Sequence, residues 1–334
     1  MMRTATRTSE VATTDAGRRR RRRGRFLLLR LLQGVLTLLV VSILIFVATQ
    51  LLPGDVARVI LGDAATPERL AALRVQLGLD LPVHQQYLNW LGGVLRGDPG
   101  QSLVTGRPVL DMVGVRLVNS LTLAGVAMLV MLPLALLAGV SAARRRGKLL
   151  DRLFLGTSMI ANATPEFVIG SVLVVLLGTT VWPILPPVAL LPTGQSPLMH
   201  LPSIALPVLT LVIAGGAYLA RLVRVSFIDV MSSEYIQMAK LKGLSERRIV
   251  YRHALPNALG AVIPAASLVA AITIGGIVVV EYLFAYPGIG SLLLESIRSR
   301  DLPVIQAVVL IIAASYFILN FLADTLAGGR DRRA

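Results

Sequence analysis

The sequence predicts an all-α polytopic membrane protein with six transmembrane helices, and three observations carry that expectation. Hydrophobic residues make up 55% of the 334 and charged residues only 15%, with a mean hydropathy of +0.73, far too apolar for a water-soluble globule. Six stretches, 26–52, 117–143, 153–181, 204–222, 258–280 and 304–326, each supply the roughly 20 mainly apolar residues a helix needs to cross a bilayer. The basic residues are shared unevenly among the connections. With the N-terminus inside, 24 of the 33 Lys and Arg fall in tails and loops on that side, eight fall outside, and Arg30 sits in the first span. That bias predicts an even number of spans with both termini cytoplasmic.

Residues 1–25 are polar and end in the arginine run 18–23 with Arg25, too little apolar surface to fold, so a disordered cytoplasmic tail is expected. The following stretch is longer than a signal-peptide core and lacks a small-x-small cleavage site, and it reads as an uncleaved first span. A net charge of +15 would suggest nucleic acid in a soluble protein; here the arginines suit anionic lipid, and no nucleic-acid partner is expected. An external insertion occupies 53–116. Within it Thr66 caps a helix that starts at Pro67, aligns Leu70, Leu73 and Leu77, and stops at Gly78. Tyr87, Trp90, Leu91 and Leu95 mark a second helix that ends at Gly97. These two faces suit packing on each other or a place at the membrane interface. Five spans make up a core over 117–328, and 329–334 form a cytoplasmic tail.

One long polar segment, 233–258, lies between two spans. Ser233 stands where it can cap a helix, Glu234 lies in the first turn, and the helix should run to about Lys242. Gly243 permits a reversal, Ser245 can cap a second piece, and Pro256 limits its continuation in the same register. This segment resembles the EAA motif of the permease subunits of ABC importers, carried by Glu234, Ala239, Gly243, Ile249, Leu255 and Pro256. In that family the motif is a coupling helix seated in a groove on an ATPase. The resemblance makes Glu234, Tyr235, Ala239, Lys240, Lys242, Gly243, Leu255 and Pro256 the candidate coupling residues. Ala239 is then the small residue that allows close approach. The plainer alternative is an amphipathic loop on anionic headgroups.

Further words extend the likeness: Leu77-Gly78-Leu79-Asp80, Thr164-Pro165-Glu166-Phe167, Leu191-Pro192-Thr193-Gly194, Pro287-Gly288-Ile289-Gly290 and Asp301 with Pro303-Val304. From Phe26 nearly to Asp324 the chain resembles the first, B-type permease of dipeptide, oligopeptide and nickel importers. Its C-terminus departs from that pattern, with Asp331-Arg332-Arg333 where Asp-Pro-Arg is common. The resemblance implies the type I permease fold in the inner membrane of a bacterium or archaeon. It implies a second homologous permease, two ATPase subunits that hold ATP and Mg, an external substrate-binding protein, and no cofactor on this chain. Peptides are the expected cargo; nickel chelates, haem or another solute are the alternatives, and a stand-alone secondary transporter is the rival class.

Asn162, Thr164 and Glu166 are candidate pathway residues, because a carboxylate inside a span is costly and usually faces a cavity or a partner. A carboxyl hydrogen-bonded between helices is the structural alternative. Asn320 and Asp324 are also four apart, but near the interface, where solvation explains them. Glu281, Phe284, Pro287 and Gly288 are candidates for an outer gate or docking surface, with an interfacial aromatic loop as the alternative. No GxxxxGK[ST] occurs, the three histidines lack ligand spacing, and cysteine is absent. The chain is therefore expected to be a non-catalytic subunit without a metal.

Overall fold

The computed structural model describes residues 4–51, 56–61, 65–76, 78–192 and 194–327. Among them the order is α1 (Thr4–Gln50), α2 (Val56–Leu61), α3 (Pro67–Gln76), α4 (Val83–Leu95), α5 (Val109–Arg144), α6 (Leu149–Ala163), α7 (Glu166–Leu173), α8 (Leu201–Met231), α9 (Glu234–Leu241), α10 (Glu246–Arg248), α11 (Leu255–Leu283), α12 (Ile289–Ser299) and α13 (Leu302–Ala327). No strand occurs among the described residues, only one isolated bridge between Gln101 and Pro108. Helices are what a bilayer requires, since each satisfies its own backbone.

Among the described residues five helices are long and apolar enough to cross a membrane, within α1, α5, α8, α11 and α13; α6 and α7 with its continuation to Thr179 reach that length and apolarity only together, as a pair bent by 108°. The bend falls at Thr164-Pro165. Proline lacks an N–H and its ring pushes the preceding residue out of helical space, and Thr164 is extended at φ −89°, ψ 126°. Beyond α7 a π segment over Val174–Thr179 ends the helix, and the chain folds back so that the Ala189 N–H reaches the Phe284 carbonyl at 2.7 Å.

Two boundaries differ from expectation. The helix of α1 extends back to Thr4, through the stretch whose composition predicts an unfolded tail. Residues 4–25 lack proline and are rich in arginine, a good helix former, and the apolar helix that follows removes the nucleation cost. α5 begins at Val109, inside the stretch assigned to the insertion. At Pro256 the second polar helix continues only in a new register, as expected: a π segment over Ile249–Ala254 takes up the change, and Pro256 sits in the first turn of α11, where its missing N–H costs least.

The core lies where α5 runs along α8 and α8 meets α11. Leu123, Ala127 and Met131 of α5 bury against Leu206, Leu211 and Val212 of α8 and Val269, Ile277 and Val280 of α11. Lower on the same pair, Gly139 lets the backbones touch, since a Cβ there would lie 2.5 Å from the Ala220 carbonyl oxygen. The insertion does not form a unit of its own. α4 packs on the end of α1, with the Phe46 and Tyr87 rings edge to face at 5.3 Å and Tyr87 Oη 2.9 Å from Ser42 Oγ, while α3 contacts α2. Leu77 and Thr193 lie outside the described residues.

Candidate functional site

The polar segment folds as a compact knob. α9 runs from Glu234 to Leu241, Lys242 ends it, and Gly243 at φ +74° reverses the chain. The Gly243 N–H donates to the Lys240 carbonyl at 2.9 Å and the Leu244 N–H to the Ala239 carbonyl at 3.2 Å. This is the paired bonding of a Schellman turn, with Leu244 and Ala239 in the same apolar cluster. Ser233 occupies the cap position, but its hydroxyl donates backwards to the Val230 carbonyl at 2.5 Å and caps nothing in α9.

α9 has two faces with different tasks. Ile236 and Ala239 are buried with Ala143 of α5, Phe227 of α8, Ile249, Val250 and Ala254 of the π segment and Ala258 of α11. The close approach expected of Ala239 is therefore made to the bundle itself, and a larger residue there would push α9 outward. On the other face Glu234, Lys240 and Lys242 are exposed, together with Tyr235 at 45%, Met238 at 54% and Leu241 at 81%. Apolar residues three apart along the open side of a charged helix make a contact surface. Asn257 donates to Tyr235 Oη at 3.0 Å, Leu255 is half-buried, and Pro256 is exposed beside α9's partner helix.

One ion pair ties this region to the bundle, and a second joins two helices of the bundle beside it. Arg144 meets Glu246 at 3.1 Å in an exposed pair. The pair between Arg224 of α8 and Asp151 of α6 is buried, with Nε to Oδ1 at 2.6 Å and Nη2 to Oδ2 at 2.8 Å, and the Gly147 N–H donates to the same carboxylate at 2.9 Å. A two-pronged arginine fixes orientation as well as distance. Neither residue is singled out by the sequence, because each reads as one more charge at a cytoplasmic helix end.

At the bend, the Glu166 side chain is half-buried and its carboxylate lies against α11, where a Cβ on Gly276 would come 2.2 Å from Oε2. Asn162 is exposed one turn earlier, and the Thr164 hydroxyl is occupied by the Ile160 carbonyl at 2.7 Å. The 108° bend between them leaves Asn162 exposed at the end of α6 and turns Glu166 toward α11. Asn320 donates to the Tyr316 carbonyl at 2.8 Å, and the side chain of Asp324 lies outside the described residues.

Of the group Glu281, Phe284, Pro287 and Gly288, all but Pro287 are buried. Glu281 is fully buried: it accepts hydrogen bonds from the Ser120 hydroxyl, the Gly290 N–H at 2.7 Å and, more weakly, the Ser291 N–H at 3.4 Å. Its carboxylate takes the role of a cap for α12, supplied from α11. Phe284 is buried in the main core, and Gly288 has no room for a side chain, since a Cβ would meet the Glu281 carboxyl carbon at 2.1 Å. The Pro287 carbonyl accepts from Asn119 at 2.8 Å. The sequence reading missed α12, although Ile289, Leu292 and Ser296, its buried residues, stand at helical spacing. Next to this anchor Tyr282, Pro287, Arg298 and the Arg116–Glu295 pair line a cleft of about 700 Å³. Replacing Glu281 by Ala orphans the donors at the head of α12. An apparent loss of about 1–3 kcal/mol in stability is expected, with partial recovery in Glu281→Gln; an unchanged unfolding midpoint of the purified protein would refute the capping role.

Asp301, between α12 and α13, holds the insertion in a similar way, accepting from the Ser102 hydroxyl and from the Leu103 N–H at 3.0 Å. Among the described residues no three His, Cys, Asp or Glu are grouped to hold a metal.

The comparisons bear on the whole of this arrangement. Residues 135–334, which hold the knob, the bend and the buried carboxylate, match the family of the binding-protein-dependent transport system inner membrane component. Residues 24–124 match the N-terminal model of the same kind of membrane component. The chain belongs to this family. It is an ABC importer permease, a multi-pass membrane subunit that works with an ATPase and a substrate-binding protein. A permease named for peptide transport in Brucella abortus strain 2308 is 36% identical over 308 residues, covering 92% of this chain and 98% of its own length. The glutathione transport system permease protein of Salmonella typhimurium strain LT2 is 37% identical over 303 residues, or 90% of this chain and 95% of its own. The permease segment matched at 135–334 begins inside α5 and takes in all the buried residues that pack with Ile236 and Ala239 of α9.

Proposed function

We propose that this permease forms half of the pathway of a peptide importer and receives the force of ATP hydrolysis through α9. The observation that carries the reading is the division of α9 into an open face, Glu234, Tyr235, Met238 and Leu241, and a face locked into the bundle by Ile236 and Ala239. A load on the open face is passed to α8 and α11 together, because both contribute to the cluster that holds α9. From α8 it reaches α6 through Arg224 and Asp151, and α6 leads to the bend at Pro165 and to Glu166 beside Gly276. Alternating access is then a two-state rearrangement of these elements, biased from the knob.

In this reading a second homologous permease completes the pathway, two ATPase subunits carry ATP and Mg, and an external binding protein delivers the cargo. This chain itself catalyses nothing and holds no cofactor. Both termini and the knob are cytoplasmic, as the basic residues favour. Peptide cargo is supported by the two relatives, one named for peptide and one for glutathione transport. Lys240, Lys242 and Gly243 form the rim and turn of the docking knob, with Leu255 and Pro256 at its return; Asn162, Thr164 and Glu166 border the pathway. Glu281, Phe284, Pro287 and Gly288 set the outer end by holding α12 in place.

ATPase assays in lipid, of the chain alone and of the complex with binding protein and a peptide mixture, test this directly. No hydrolysis alone and peptide-stimulated hydrolysis in the complex are expected; solute flux by the isolated chain without any ATPase would overturn the reading. For Glu166, replacement by Gln should lower transport of cationic relative to neutral peptides by about two- to fivefold, the size of a partly solvated charge contact. An unchanged ratio would remove Glu166 from the pathway.

A further inference from the structure

A second feature of the molecule lies beside α1. α1, α11 and α13 enclose a groove of about 740 Å³ that none of the roles above uses. Its floor is set where Phe317 lies directly on Gly34, drawing α13 onto α1; a Cβ on Gly34 would sit 1.9 Å from the ring. The lining changes along its length. Arg30, Gln33 and Asn320 stand at one end, and Val41, Val309 and Ile312 at the other. α1 and α13 run in opposite senses, so the first turns of one and the last turns of the other share the polar end. That end is where α1 enters the apolar layer, just after the arginine run 18–23 and Arg25, and where the sequence leaves α13 toward Arg330, Arg332 and Arg333. At mid-depth Gly275 faces open space, with no atom within 4 Å of where a Cβ would stand.

We propose that this groove is a binding site for one anionic phospholipid, its phosphate at Arg30 and Gln33 and an acyl chain along Val41, Gly275 and Ile312. The volume is in the range of specific small-molecule sites, and a groove polar at one end and apolar at the other matches the one amphiphile that surrounds the protein. Charge decides the headgroup, since a dense basic flank attracts anionic lipid and repels cationic partners. The site does not depend on which solute is carried.

Native mass spectrometry of the intact transporter complex, released from membranes containing phosphatidylglycerol and phosphatidylcholine, tests it. The wild-type complex should retain phosphatidylglycerol in preference to phosphatidylcholine. Arg30→Gln should reduce the retained phosphatidylglycerol about fivefold, the factor for one basic residue near an anionic surface, and phosphatidylcholine by less, because its choline already offsets the phosphate charge. Gly275→Leu, whose Cβ would meet no atom within 4 Å and whose side chain would occupy the groove, should remove both lipids. Retention unchanged in either variant would overturn the proposal. The chain has no cysteine, so Ala313→Cys gives a unique probe; its crosslinking to the second permease would show protein in the groove and would overturn the proposal as well.

Discussion

Replacing Gly243 by Val is expected to reduce solute uptake at least tenfold while the amount of protein in the membrane stays unchanged. Gly243 holds φ +74°, and a β-branched residue forced into that left-handed conformation costs about 1–2 kcal/mol or more. Nothing lies within 4 Å of the position a Cβ would take, so the penalty comes from the backbone and not from a clash. The turn carries the two bonds that close α9, from the Gly243 and Leu244 N–H groups. Losing them swings the exposed face, with Tyr235, Met238 and Leu241, away from the direction set by Ile236 and Ala239. The spans do not depend on this turn, which is why insertion should survive. Asn tolerates the left-handed region better than Val, so Gly243→Asn should recover part of the uptake. Uptake of a labelled peptide, normalised to membrane-inserted protein, reads the result; full transport by Gly243→Val would end the coupling role of the knob.

Removing the charge of Arg224 is expected to be the most destabilising single change. Asp151 has 3% of its side chain exposed and Arg224 14%, so a variant such as Arg224→Leu strands a carboxylate in a site with only the Gly147 N–H left to it. Breaking a buried pair from one side costs about 3–5 kcal/mol, whereas replacing both members by apolar residues can be nearly neutral. The double variant Asp151→Leu with Arg224→Leu should therefore be more stable than Arg224→Leu alone. Its transport should nevertheless stay low, because the link from α8 to the bent passage would be gone. Thermal unfolding of the purified complex, read beside uptake, separates the two effects. A single variant that unfolds at the wild-type temperature would show that the pair carries no load.

Membrane class, the spans and the knob were legible in the chain because each is written in neighbouring residues. Apolar length decides a span regardless of what packs on it. The turn at Gly243 and the break at Pro165 are local backbone facts, announced by the two residues whose conformational range differs most from the rest. The same locality explains the misreadings. Ala239 was expected to face a partner, yet side-chain size does not say which side of a helix is covered; contact with Phe227 and Ile249 settles that. Glu281 and Phe284 are candidates for an outer gate or docking surface, and their burial is not written in the segment that holds them. Both are buried because α12, a helix hidden between a glycine-proline turn and Asp301, folds back over them.

By itself, then, the sequence determined that this protein lives in a bilayer, how many passages it has the length for, where its basic side lies, and which segment leaves the membrane to be touched. Only the tertiary structure decided how the parts hold one another. Ser120 reaches Glu281 across 161 positions, Ser102 reaches Asp301 across 199, and Arg224 reaches Asp151 across 73. A polar residue in a span announces that it needs a partner, because an unmet hydrogen bond there is costly; which partner it finds depends on how the helices are stacked, and helix stacking is a property of surfaces that no single segment contains.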